Sequence, residues 1–292
     1  IIQSSNQKNR TSGIIRLNPH IYSRKNNLIV KAGLSVQANI NDNTKFHIFP
    51  DLELSYSLFN NVFIPYGGWV GDVQRNTFND IRLENPFISE DANLQNTVQK
   101  SNLFAGVRGS LSSKFTFNLS AYFQKFDSMY FFTPDNISSY GNKFQMTYDN
   151  LSQTSFMGEI TYQDSEKLKV SAKGEYFIYD PSNELYAWQK PEFLITLSGL
   201  LDLSNKIIVK SDIYLVGQRK VFSHYEPLRK YELEDGKYVS TLKPLIDMNL
   251  SAEYRYNKKV SGFIQFNNFI GKKYQYWSNF PVQSINILGG VT

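Results

Sequence analysis

The sequence predicts an all-β protein: an antiparallel up-and-down transmembrane β-barrel of about 14–16 strands. Three observations predict it. Apolar and polar residues alternate with a period of two along most of the 292 residues. Aromatic residues reach 15%, with 19 Tyr and 22 Phe, a composition that suits strands. Mean hydropathy is −0.38, and no stretch approaches the roughly 18 uninterrupted apolar residues that a membrane helix needs.

In chain order, alternating runs lie at 13–22, 30–40, 45–58, 61–72, 101–112, 114–125, 141–149, 153–163, 168–178, 191–203, 205–217, 246–256, 259–269 and 283–292. In 30–40, Val30, Ala32, Leu34, Val36, Ala38 and Ile40 alternate with Lys31, Gly33, Ser35, Gln37 and Asn39. In 114–125, Phe115, Phe117, Leu119, Ala121 and Phe123 share one face, while Thr116, Asn118, Ser120, Tyr122 and Gln124 share the other. The runs 168–178 and 246–256 repeat the pattern. Pro50 lies mid-run and predicts a bulge. No amphipathic helix is evident.

Length and charge separate a membrane barrel from a soluble sandwich, which also alternates. Runs of about 10–13 residues, at ~3.4 Å rise and ~40° tilt, project to roughly 26–34 Å, enough for an outer-membrane apolar band of about 25 Å. Globular strands run nearer 5–6 residues. In the runs 30–40, 114–125, 168–178, 191–203 and 246–256, no Asp, Glu, Lys or Arg falls among the apolar alternates. A Lys or Arg facing lipid at mid-membrane costs ~2–4 kcal/mol, so such sorting is expected there. Tyr56, Tyr162, Tyr254 and Tyr256 end their apolar faces just before short turns, as an interfacial girdle would.

Short connections at 59–61, 112–114, 204–206 and 257–259 contrast with long ones near 73–100, 128–140, 219–244 and 271–282. Bacterial barrels pair short periplasmic turns with long extracellular loops, which places the carboxyl end of the chain in the periplasm. Strict alternation counted from the two ends disagrees about the direction of 141–149. An extra strand over Met129–Phe132 would reconcile the counts, and closure would then require one more.

The last fifty residues resemble the carboxyl-terminal barrel hairpins of TonB-dependent receptors. The resemblance rests on Asp247 to Asn257, the strand Phe263 to Phe269, the loop Lys273-Tyr274-Gln275-Tyr276-Trp277 and the closing Ile287 to Thr292. Asn85-Pro86-Phe87 and Trp188-Gln189-Lys190-Pro191 are similar to pieces of such barrels. The resemblance implies a Gram-negative outer-membrane location. Such receptors carry an amino-terminal plug, a TonB-contacting box and about 22 strands. Neither plug nor box is visible here, and the terminal aromatic is lacking. The expectation is that residues 1–292 form a single outer-membrane barrel, incomplete at one or both ends, of a smaller relative without energised transport.

The chemistry is sparse. Cysteine is absent, and His20, His47 and His224 lie far apart. His47 falls on a polar strand face and His224 in a loop, where solvated roles outweigh catalysis. Glu232 and the Glu234-Asp235 pair lack calcium-loop spacing, and no Gly-rich phosphate loop leads into a helix. No cofactor or metal is expected, and no enzyme activity. The net charge of +5 does not call for nucleic acid. The more informative group is the set predicted to face the lumen: Lys31, Asp51, Glu53, Arg108, Lys169, Lys173, Glu175, Lys210, Asp212, Asp247, Glu253 and Arg255. Such a lining holds water and passes hydrophilic solutes, or closes the bore through salt bridges. The expected partners are outer-membrane lipid and other outer-membrane or periplasmic proteins. The expected role is a structural or accessory subunit of an outer-membrane complex, with a channel or receptor for hydrophilic solutes as the alternative.

Overall fold

A computed structural model describes residues 13–40, 44–135, 139, 141–204, 206–223, 232–257 and 259–291. Its strands are β1 (Gly13–Leu17), β2 (His20–Lys25), β3 (Leu28–Ile40), β4 (Lys45–Tyr56) and β5 (Ile64–Gln74), followed by the short helix α1 (Phe78–Glu84). Then come β6 (Thr97–Ser110), β7 (Phe115–Pro134), β8 (Phe144–Asp164), β9 (Leu168–Pro181), β10 (Phe193–Leu203) and β11 (Ile207–Val216). The chain continues through β12 (Arg219–Ser223), β13 (Glu232–Glu234), β14 (Lys237–Leu242), β15 (Leu245–Arg255), β16 (Ser261–Asn267), β17 (Gln275–Trp277), β18 (Phe280–Pro281) and β19 (Asn286–Val291).

One sheet of 14 strands forms the wall, in the order β1-β3-β4-β5-β6-β7-β8-β9-β10-β11-β15-β16-β19, with β2 also paired to β3. Every pairing in it is antiparallel, and all but β1–β3 join sheet strands that follow one another along the chain; β1 and β2 lie end to end along the same edge of β3. The up-and-down topology and the strand number therefore match the sequence reading. Closure is not seen: among the described residues nothing pairs β19 with β1 or β2.

The conflict over strand direction resolves at β7 and β8. The runs 141–149 and 153–163 are one 21-residue strand, and Met129–Phe132 continues the 20-residue β7. A bulge between Phe126 and Met129, with Ser128 at φ 53°, shifts the register there. An extra residue reverses which side chains face which way, so a continuous strand reads as two. Pro50 marks no bulge: it sits in unbroken register opposite Leu34. The β4–β5 ladder spans only Asp51 to Ser55, so the missing N–H of Pro50 interrupts nothing on that side. The unforeseen α1 is too short to leave a helical pattern; the Thr77 side chain caps it by accepting from Asp80 N–H at 3.2 Å.

Apolar side chains on one face are bared to the surroundings: Phe46 is 76% exposed, Ile48 69% and Leu119 54%. The opposite face holds buried Ser35, Gln37 and Asp51. This inverts a soluble protein, and it is what a wall needs when lipid lies on one side. Gly68 and Gly106 serve the polar face. A Cβ on Gly68 would meet Phe104 at 2.6 Å, and one on Gly106 would meet Tyr66 at 2.7 Å, so each glycine gives a cross-strand ring room to lie flat. Tyr56, Tyr254 and Tyr256 are exposed beside short turns.

Candidate functional site

All the turns at one end of the wall are short: 26–27, 57–63, 111–114, 165–167, 204–206 and 256–260. The opposite end carries the connections 75–96, 135–143, 182–192, 217–244 and 268–285, three of which contain structure of their own. These long connections fold over one another into a canopy with two apolar clusters. The first gathers Phe126, Phe131, Leu151, Ala187, Trp188 and Val239. The second gathers Ile81, Ile88, Phe132, Phe144, Met146 and Trp277. Phe131 and Phe132 are neighbours in β7, and consecutive strand residues point to opposite faces. The β7–β8 ribbon, extended beyond its bulge, is therefore the partition on which both clusters are built.

The second cluster brings together loops that are far apart in the sheet. Neighbouring strands lie about 4.8 Å apart, so in a flat sheet the β5–β6 and β16–β19 hairpins would stand nearly 40 Å from each other. Yet Phe87 from the first stacks on Phe280 from the second, with ring centroids 3.7 Å apart and planes 17° from parallel. Trp277 meets Phe132 edge-on at 5.0 Å. The sheet curls, and the loops meet across its mouth.

Polar ties complete the canopy. The 87–89 segment bonds to β8 through Ser89 N–H to Phe144 O at 2.7 Å and Phe144 N–H to Phe87 O at 2.9 Å. Lys190 lies 3.7 Å from the Glu84 carboxylate and 4.8 Å from the Tyr130 ring centroid, and the Tyr130 hydroxyl donates to Glu84. Burial pushes the Lys190 ammonium below its ordinary range, against the pull of Glu84. Burial likewise pushes the Tyr148 phenol up to about 12; its hydroxyl accepts from Gln95 N–H and donates to Asn93 O. Burial opposes the charge on Asp149 too. However, N–H groups of Glu184, Asn183 and Asn150 and the Asn183 amide hold its carboxyl below the ordinary value of 3.8. Arg219 of β12 donates to the carbonyls of Tyr276 and Gln275, joining the β12–β14 insert to the last long loop.

The pairing register places all twelve charged residues singled out above on one sheet face. Lys31 lies opposite Glu53, and Asp51 shares its parity. The same face runs through Val70, Asn102 and Arg108. It continues across β7 to Glu159 opposite Lys173, and to Lys169 and Glu175 in the same strand. It then reaches Lys210 and Asp212, and Tyr214 opposite Asp247, with Glu253 and Arg255 in step. Several are paired: Lys31 with Asp51 at 2.6 Å and Glu53 at 3.2 Å, Lys173 with Glu175 at 3.0 Å, and Arg255 with Glu253 at 3.1 Å. Asp212 accepts from Ser198 at 2.6 Å and Asp247 from Tyr274 at 2.8 Å. Arg108 stands over the Tyr66 ring at 5.2 Å.

His47 stacks on Phe49 at 5.7 Å and lies opposite Gln37. The side chains of His224 and Glu232 lie outside the described residues. Among the described residues, no three His, Cys, Asp or Glu side chains gather as a metal site requires. Missing from the sequence reading were the canopy aromatics and Arg219. Their signal is the presence of Phe131, Phe132, Trp188 and Trp277 in or beside stretches expected to be solvated loop.

No family model matches this chain, and no curated protein does. Solved structures do. The outer-membrane pyoverdine receptor FpvA of Pseudomonas aeruginosa PAO1 superposes with a TM-score of 0.65 at 12% identity, over 97% of this chain and 41% of that one. The fold is that of the TonB-dependent receptor barrel. The copper transporter OprC gives 0.61 at 12% identity over 92% and 45%. The iron transporter FrpB of Neisseria meningitidis gives 0.63 at 9% identity over 92% and 43%. The chain thus spans roughly two fifths of the length of the structures it matches. Among the described residues no helix is long and apolar enough to cross a membrane, which leaves β-strands free to do so.

Proposed function

We propose that this chain is wall and mouth of an outer-membrane receptor of a Gram-negative bacterium, which captures a hydrophilic solute of the metal-chelate class. Its bare apolar face meets lipid. The twelve charged residues line the interior, where their ion pairs with interspersed polar groups keep the bore wet. The observation that carries the reading is the inward convergence of the long loops on an aromatic canopy above the polar face. A mouth so built offers rings, amides and a guanidinium to an incoming organic ligand, as recognition sites do. FpvA with pyoverdine, FrpB as an iron transporter and Fiu as a ferric-catecholate import receptor have the same fold, and the reading extends their class of cargo to this chain.

An accessory role would use the loops as an outward docking surface, whereas here they bury their largest side chains in one another, which favours the receptor. Protein partners fit either role; FpvAI is known in complex with pyocin S2. The reading calls for no enzyme chemistry. Cells producing the full protein should place it in the outer-membrane fraction and take up radiolabelled ferric chelates above the level of cells lacking it. Changing Phe87 and Phe280 to alanine should abolish the difference. Unspecific conductance without chelate uptake, or fixed-ratio co-purification with a second barrel and no uptake, would overturn it.

A further inference from the structure

Arg219 sits in an unusual position for a charged residue. It is 2% exposed, at the start of β12 inside the canopy. Two of its nitrogens donate to the backbone carbonyls of Tyr276 and Gln275. Its Nε has no partner. Among the described residues no carboxylate pairs with it; Asp247 of β15 accepts instead from the hydroxyl of Tyr274, in the same long loop as Gln275 and Tyr276, at 2.8 Å. A buried guanidinium is expensive unless its charge is matched, and carbonyl dipoles match it only in part. The neighbouring strap adds a second unmet demand. The Gln189 N–H donates to the Lys220 carbonyl, yet both ends of the buried Gln189 carboxamide lack partners. Gln189 also holds a left-handed backbone at φ 64°, a conformation that costs energy and persists where surroundings impose it.

We infer that Arg219 is the floor of an anion subsite in the canopy, which takes a carboxylate or phosphate group of the captured solute. The planar fork of the guanidinium suits two-point recognition of such oxygens. The way in lies past Tyr276, a residue 42% exposed, whose ring centroid stands 5.2 Å from the guanidinium carbon. This inference deepens the receptor reading: it names the charge of the ligand, and it locates the contact at the junction of two long loops.

The test uses the full-length protein in detergent micelles, titrated with inorganic phosphate, with acetate, and with chloride at matched ionic strength. Trp277 adjoins Tyr276, with ring centroids 5.4 Å apart, so its fluorescence reports on the subsite. Phosphate or acetate should give a saturable change that chloride does not, and should slow amide hydrogen exchange at 219–220 and 275–277. Exchange in β3 and β4 should stay the same. Arg219→Lys should weaken the response by roughly tenfold or more, because a point charge replaces a fork, and Arg219→Gln should remove it. The inference fails if wild-type protein shows no saturable response, if chloride matches phosphate, or if Arg219→Gln responds like wild type. Where the variants do not assemble, the exchange map of the wild-type protein decides: slowing anywhere but at these two segments overturns it. Chelate uptake plays no part in this measurement, so the receptor reading can fail while the subsite stands, and the reverse.

Discussion

The spanning wall and the canopy are built from the same residue types under opposite rules. In the wall Leu119 is 54% exposed and Phe123 50%, while in the canopy Phe131 and Trp188 are 0% exposed. Leu119, Phe123 and Phe131 belong to one strand, β7. Across the bulge that follows Phe126, the strand passes from a region where apolar side chains face an apolar solvent into one where they must bury each other from water. What changes is the medium. The wall gains stability from its continuous antiparallel hydrogen-bond ladder, which satisfies the backbone groups of neighbouring strands; the canopy gains it from packing, as any soluble domain does.

The largest effect that can break this contrast is the removal of a canopy anchor. Trp188 fills the first cluster and donates its indole N–H to Glu184 at 2.8 Å. Trp188→Ala should cost about 3–5 kcal/mol locally. Hydrogen exchange should then quicken at 182–192 and 237–242 and stay slow in β3, β4 and β10. Equal loss of protection throughout would mean that wall and canopy form one cooperative unit, and the contrast would not hold.

The next effect tests the wall. Leu119→Arg places a cation on the bare face and should cost ~2–4 kcal/mol near mid-membrane. Thr196 lies on the other face between Lys173 and Tyr214. Thr196→Lys should change stability by no more than about 0.5 kcal/mol. Urea titration in lipid vesicles reads both. Equal costs would show that the two faces meet the same medium.

The contrast also governs what could be read from sequence. Where each strand separates lipid from a polar face, alternation is imposed residue by residue, and β3, β9 and β15 are legible in full. The canopy obeys no period. Ile81 comes from a two-turn helix, Trp188 from a loop and Trp277 from a three-residue strand; their meeting depends on how far the sheet curls, which no local pattern encodes. The β7 bulge hides strand continuity for a similar reason. Its extra residue reverses the phase of alternation, and the residues beyond it change solvent at the same point. The polar face was legible as a set, because parity alone assigns Lys31, Asp212 and Glu253 to it. Arg219 was not, since only the fold makes a charged residue of a loop insert one of the most buried in the molecule.

The smallest effect sharpens the border between the two regions. Asp149 stands on β8 where wall becomes canopy, and it holds the 182–184 strap through the N–H groups of Asn183 and Glu184 at 2.7 and 2.8 Å. Its carboxyl titrates below 3.8 in the folded protein. The strap is therefore held in full above that value, and the hold is lost as pH falls through the lower, folded value. Exchange at 182–190 should quicken in that acid window, whereas the β9–β10 ladder below it keeps its protection. Asp149→Asn should loosen the strap by about 1–3 kcal/mol at neutral pH, because an amide nitrogen then faces N–H donors. It should also flatten the acid response. If the variant keeps the wild-type response, another carboxylate holds the border, and Glu184 beside it is the first to test.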